Sequence, residues 1–139
     1  MEAPVTLLTW NHACSVRVRA MDDQHGILMD TINELRLAMV RGSDKELIGA
    51  LLKRLVEFSQ MHFSSEEQLM ERSGFPGLAQ HRAAHRDLLE QLRNGAHLLL
   101  HGDGVQTRPL LNSLRDEFIA HIEDFDRQYG PWMNARGVS

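Results

Sequence analysis

Four stretches of helical periodicity in this chain carry imidazole and carboxylate groups at positions where a folding helix puts aliphatic side chains. Residues three and four apart lie on one helix face. By that rule His25 shares a stripe with Leu28, Met29, Ile32 and Leu35, while His62 and Glu66 share one with Ile48, Leu52, Leu55, Ser59 and Leu69. His81 and His85 fall in line with Leu78, Leu88, Leu92, Ala96 and Leu99, and His121 with Leu111, Leu114, Phe118 and Phe125. These are the core-facing stripes. Burying an unpaired polar group costs roughly 2 to 7 kcal/mol, so the pattern is compatible with a stable interior only if something satisfies all of these groups together. Bound metal does so.

The periodic segments begin near Asp22 and are broken at Arg41-Gly42-Ser43-Asp44, at Ser73-Gly74-Phe75-Pro76-Gly77 and at His101-Gly102-Asp103-Gly104. Each break combines glycine with a capping-type residue or proline, as expected between helices. Strand signals are scarce. Short connections make successive helices antiparallel neighbours, which gives an all-α fold, an up-down-up-down four-helix bundle with an N-terminal arm. The chain of 139 residues, 42% of them apolar, is expected to form a single domain. Its arm covers about 1–20, the bundle about 21–129 and a C-terminal tail about 130–139.

Antiparallel helices bring ligands to one depth only if their positions alternate along the chain. His25 lies early in the first helix, His62 and Glu66 late in the second, His81 and His85 early in the third, and His121 and Asp126 late in the fourth. All seven therefore meet at one end of the bundle. The other histidines serve as controls. His97 and His101 are also four apart, but at about 100° and 1.5 Å per residue His97 lies about 160° around the helix from His81 and about 24 Å further along it. It and His101 are expected to be solvated, as is His12 in the arm.

A structural zinc takes four ligands and a catalytic zinc three, and the chain has no H-E-x-x-H. Ferritin-like di-iron sites use Glu-x-x-His pairs in a carboxylate-rich shell, whereas the spacing here is His-x-x-x-Glu in an imidazole-rich one. If the metals are two six-coordinate irons, with Glu66, Asp126 and a solvent oxygen all bridging, the five imidazoles and two carboxylates leave one coordination place open. Such a place suits a small diatomic molecule.

The motifs Asp23-Gln24-His25, His62-Phe63-x-x-Glu66-Glu67 and His121-Ile122-x-x-x-Asp126-x-x-Tyr129 resemble those of the hemerythrin family in its stand-alone prokaryotic form. The likeness runs from Trp10 to the Tyr129-Gly130-Pro131 turn. It implies two iron ions with a solvent-derived oxo or hydroxo bridge. His81, His85 and His121 would complete one iron, His25 and His62 would serve the iron with the vacancy, and Glu66 and Asp126 would bridge. It further implies that dioxygen is the ligand, bound end-on at the vacancy, with two electrons drawn from the reduced pair and a proton from the bridge. Leu28, Met29, Ile32 and Phe118 are the expected lining of a dry oxygen pocket, and they are also ordinary core residues. Two departures from the family stand out: Arg19, where glycine is common before the first helix, and Phe118, where leucine is usual three residues before the histidine.

Other features narrow the role. Fifteen Lys and Arg stand against nineteen Asp and Glu, a net charge of -4 with no basic face, which disfavours nucleic acid. The opening MEAPVTLLTW has no signal-peptide pattern, and no segment reaches the roughly 18 apolar residues of a membrane span. A cytoplasmic location off the membrane is expected. Cys14, the sole cysteine, reads as an incidental thiol. The expected function is reversible oxygen binding for storage, delivery or sensing, not enzymatic turnover. The alternatives are a di-iron redox enzyme acting on peroxide or nitric oxide, and a sensor acting through a separate partner; an oxygen-consuming or signalling protein would be that partner.

Because His121 and Asp126 are five apart, on a regular helix they diverge by about 140°. Either a π-type bulge lies between them or Asp126 reaches in from the flank. The ends of the chain are expected to cross near the ligands, with Trp10, Trp132 and Tyr129 as covers.

Overall fold

The computed structural model describes residues 15–101 and 107–139. Helix α1 spans Arg19–Val40, α2 Lys45–Ser73, α3 Leu78–His101 and α4 Thr107–His121; a π-helical segment, Ile122–Asp126, joins α4 to α5, Arg127–Asn134. Helices consecutive in the chain pack on one another, and α1 also meets α4, which closes the four-helix bundle. Trp10, His12 and Cys14 lie outside the described residues, so the expected cover by Trp10 does too.

Local chemistry sets the boundaries. The Asp44 side chain accepts from Leu47 N–H at 2.9 Å and starts α2. Helix α2 stops at Gly74, whose φ of 70° is the left-handed conformation glycine adopts without steric cost. Phe75 N–H then reaches back to Met70 O at 2.9 Å. At the start of α1 the order is reversed: Asp22, inside the helix, accepts from Ser15 Oγ at 2.6 Å and Val16 N–H at 2.8 Å, folding the preceding segment onto the first turn. Helix α1 begins at Arg19 itself, and the left-handed residue falls two positions earlier, at Arg17 with φ 62°. Its carbonyl accepts from Asn134 Nδ2 at 2.9 Å, which pins the turn.

The core follows the expected stripes. Leu28, Ile32 and Leu35 from α1, Leu52 and Leu55 from α2, Leu92 from α3 and Phe118 from α4 are all buried. Ser59, polar on the same stripe, is satisfied by donating to Leu55 O at 2.7 Å. His97 and His101 are exposed, as expected. Among the described residues no helix is long and apolar enough to cross a membrane.

The π segment is where the sequence spacing required it. Arg127 N–H bonds to Ile122 O, five residues back, so residues five apart are stacked and both His121 and Asp126 turn inward. The helical path then continues through Pro131 to Asn134, so the first half of the expected tail is helical. Proline removes a donor and usually ends a helix; here the buried Tyr129 and Met133 and the Asn134 tie to Arg17 hold the turn in place.

Among the described residues, the segment before α1 lies against α5. A Cβ added at Gly130 would lie 2.3 Å from Val16 O, whereas one added at Gly26 would meet nothing within 4 Å. Alanine in a helix gains up to about 1 kcal/mol over glycine, but forcing a methyl into a filled place costs about 1 to 3 kcal/mol. Gly26→Ala is therefore expected to raise the denaturation midpoint and Gly130→Ala to lower it. Equal shifts in urea melts would show that the contact at Gly130 yields freely.

Candidate metal centre

Seven side chains from α1, α2, α3, α4 and the π segment converge at one end of the bundle: His25, His62, Glu66, His81, His85, His121 and Asp126. None is more than 7% exposed. Their donor atoms form two groups, one of His81, His85, His121, Glu66 and Asp126 and another of His25, His62, Glu66 and Asp126; within each group the atoms lie within 4.8 Å of one another. The two carboxylates belong to both.

The oxygens divide accordingly. Asp126 Oδ1 faces His81 Nε2 at 2.7 Å and His121 Nε2 at 3.1 Å, while Oδ2 faces His25 Nε2 at 2.9 Å. Glu66 Oε1 lies 3.2 Å from His62 Nε2 and 3.1 Å from His85 Nε2. Its Oε2 is 3.4 Å from His25 Nε2 and accepts the Tyr129 hydroxyl at 2.6 Å. All five imidazoles present Nε2 to the carboxylates.

Whether this cluster suits metal can be judged from its hydrogen bonding. Glu66 Oε1, His85 Nε2, His121 Nε2 and Asp126 Oδ2 are buried and make no hydrogen bond of proper geometry, close as they are. Buried polar atoms are nearly always satisfied. Nitrogen and oxygen atoms converging on common points, instead of pairing off donor to acceptor, are what a cation needs, and nitrogen with carboxylate oxygen is a donor set for first-row transition metals. The residues fit the metals that the sequence implied.

Further out, His62 Nδ1 donates to Gln24 Oε1 at 2.6 Å and His85 Nδ1 to Glu67 Oε2 at 2.9 Å. Partners of this kind fix the ring and tautomer of a ligating histidine. Sequence reasoning gave neither residue a role, although each is the immediate neighbour of a ligand candidate. The ring of Phe63 stacks on His85 at 4.2 Å between centroids and was missed likewise. Trp132 covers a different place from that expected: its Nε1 donates to Ser73 O at 3.0 Å and its ring meets Phe75, at the end of α2. Of Trp132 and Tyr129, it is Tyr129 that reaches the cluster.

Electrostatics tie the protein's protons to metal uptake. Burial pushes the His25 imidazole toward lower pKa, but Asp126 and Glu66 outweigh it and hold the group up at about 10. His85 is raised in the same way, against burial, by Glu66 and Glu67. Burial pushes Glu66 up, yet His62, His25 and His85 hold it well below the ordinary carboxylate range. With His25 at about 10 instead of 6.5, its contribution to the metal-free fold is complete below the unfolded value and is lost as pH rises through about 10. The lowered carboxylate contributes above its ordinary range, and that contribution is lost in acid. A metal must displace the imidazole protons, so adding zinc to metal-free protein in weak buffer at neutral pH is expected to release protons. Uptake without acidification would contradict the protonated state of His25.

The chain has relatives whose likeness covers the whole bundle. The family described as the hemerythrin HHE cation-binding domain matches residues 16–133. A bacteriohemerythrin of Methylococcus capsulatus is 31% identical over 132 residues, covering 94% of this chain and 100% of that one. A myohemerythrin of Sipunculus nudus is 27% identical over 120 residues, covering 86% and 88%. Among solved structures, wild-type hemerythrin superposes with a TM-score of 0.81 at 31% identity, covering 90% of this chain and 96% of that one. With its helical architecture, buried cation-binding cluster and full-length likeness in agreement, the chain belongs to the hemerythrin family.

Proposed function

We propose that this chain holds two iron ions in the cluster and binds dioxygen reversibly, for storage, delivery or sensing, as a single hemerythrin domain. The observation that carries the reading is the unequal sharing of ligands. Two carboxylates common to both groups leave three imidazoles for one ion and two for the other, so one half of the pair is short of a protein donor. The metal ligands are then His25, His62, Glu66, His81, His85, His121 and Asp126, with an oxo or hydroxo bridge from solvent completing the pair. Iron held in this way supplies reversible two-electron chemistry toward a small molecule.

The chain's own residues bind, orient and keep water away. Gln24 and Glu67 hold His62 and His85 with Nε2 toward the carboxylates. Tyr129, fully buried, donates its hydroxyl proton to Glu66 Oε2 and so fixes the plane of a shared carboxylate. Its hydroxyl is held well above its usual pKa by burial and by Glu66 and Asp126, so it stays a donor and does not become a competing anion. The proposed pocket lining of Leu28, Met29, Ile32 and Phe118 is at most 2% exposed. A cleft between α3 and α4 is lined by His81 and His121, and a second, smaller one by His85; neither is lined by His25 or His62. Both of these clefts reach the cluster on the side richer in protein donors.

The test is spectroscopic. Anaerobically reduced, iron-loaded protein is exposed to oxygen and then purged; a charge-transfer band that appears and disappears over repeated cycles is the expected result. Prompt, irreversible oxidation on first exposure would instead favour redox turnover on peroxide or nitric oxide.

A further inference from the structure

His62 and His85 occupy corresponding positions in the two halves of the cluster, each beside Glu66 Oε1, yet their Nδ1 atoms meet unlike acceptors. For His62 the acceptor is the neutral amide oxygen of Gln24, at 2.6 Å. For His85 it is the carboxylate of Glu67, at 2.9 Å. Amide oxygens and ionised carboxylates only accept, so each ring holds a proton on Nδ1, and a metal in the cluster would take the lone pair of Nε2. The acceptors differ in strength. A charged acceptor draws the Nδ1 proton harder and makes the ring a more basic donor through Nε2. Glu67 is itself tethered: Arg82 Nε donates to its Oε1 at 3.2 Å, and Arg82 Nη2 donates to Glu71 at 3.3 Å. Glu67 is 24% exposed and Arg82 45%, so a line of contacts leads from solvent through arginine and carboxylate to His85.

We propose that Glu67 is a positioning residue that biases the His81, His85 and His121 half of the cluster toward the more oxidised ion. Gln24 leaves the His25 and His62 half with the weaker donor, and Arg82 sets the strength of the bias by drawing charge away from Glu67. This rests on the reading that the cluster holds an iron pair. A basic imidazole stabilises the higher charge on the metal it ligates, so the half with more protein ligands loses its electron first. The control then lies on a surface arginine that reaches His85 through Glu67.

The experiment is a redox titration of iron-loaded full-length protein, with iron content measured alongside and the Nδ1–H proton resonance of His85 followed in the zinc-loaded form. Glu67→Gln keeps an acceptor and loses the charge; it should retain iron, raise the reduction midpoint and move the His85 resonance upfield. Arg82→Gln should shift both in the opposite direction. Glu71→Gln removes a charge from the same arginine without touching His85, and should shift the midpoint several-fold less than Glu67→Gln. Glu67→Ala, losing the acceptor altogether, should weaken iron binding about 10- to 100-fold. Gln24→Glu should lower the midpoint from the other half, which gives an independent reading if Glu67→Gln fails to fold. Equal shifts for Glu67→Gln and Glu71→Gln, or a His85 resonance that stays in place, would reduce Glu67 to a surface clamp and overturn the assignment. If the parent takes up no iron pair, the underlying functional reading is the one that fails; if it does and the variants break this pattern, only the tuning role is lost.

Discussion

Glu66→Ala is expected to strip the protein of both ions, not one. Oε1 of that carboxylate lies beside His62 of one group and His85 of the other, and Oε2 beside His25 and the Tyr129 hydroxyl. Removing it leaves three imidazoles and a phenol without their common partner in a fully buried place. A buried polar group deprived of its partner costs about 1 to 3 kcal/mol, and several are orphaned at once, in addition to the lost metal-binding energy that is coupled to folding. His62→Ala and His85→Ala should also lose iron and stability, whereas His97→Ala and His101→Ala, on exposed positions of α3, should do neither. Iron per chain and the thermal midpoint are the measurements. Should His97→Ala deplete iron as effectively as His85→Ala, the whole assignment of faces and depths is wrong.

The second large effect concerns Phe118. Its side chain is 2% exposed and packs on Phe63, with ring centroids 6.5 Å apart, and Phe63 in turn stacks on His85. Phe118→Ala should cost about 3 to 5 kcal/mol, the usual range for emptying a buried aromatic site. That loss would obscure any functional change. Phe118→Leu retains most of the apolar volume and is the cleaner probe. On the proposed pocket assignment it still binds oxygen reversibly but autoxidises faster in air, because the space left beside the cluster admits water and protons. Slower autoxidation in the leucine variant, followed as decay of the oxygenated spectrum, would contradict the gate and shift attention to Leu28 and Met29.

Much of the site could be read from the sequence because helix geometry is periodic and antiparallel helices convert chain position into depth. His25 early in α1 and His62 late in α2 had to come level, and they do. The five-residue step from His121 to Asp126 conflicted with a regular helix, and the π segment resolves that conflict. What could not be read depended on contacts between elements. Nothing in the order Gln24-His25 says that the glutamine serves His62, a residue of another helix, and Glu67 looks like any solvated helix carboxylate until α3 brings His85 and Arg82 beside it. Helix α5 was hidden for a related reason. Gly130-Pro131 is a stop signal by local propensity, and only the burial of Tyr129 and Met133 against the rest of the bundle overrides it.

The middle of the π segment, between the buried Ile122 and Asp126, is indifferent to identity but not to length. Glu123 and Asp124 within it are exposed, so most side chains could stand there. Their number, however, decides whether the backbone here is π or α. Taking one residue out would leave His121 and Asp126 four apart, a spacing that the ordinary α repeat already stacks on one face. Asp126, Tyr129 and Gly130 would then keep their bearing on the cluster and on Val16, with an unbroken α-helix in place of the π turn. In related sequences the identities of these two residues should therefore drift freely, and the loss of one of them should go with the loss of the π turn and not with the loss of the ligand.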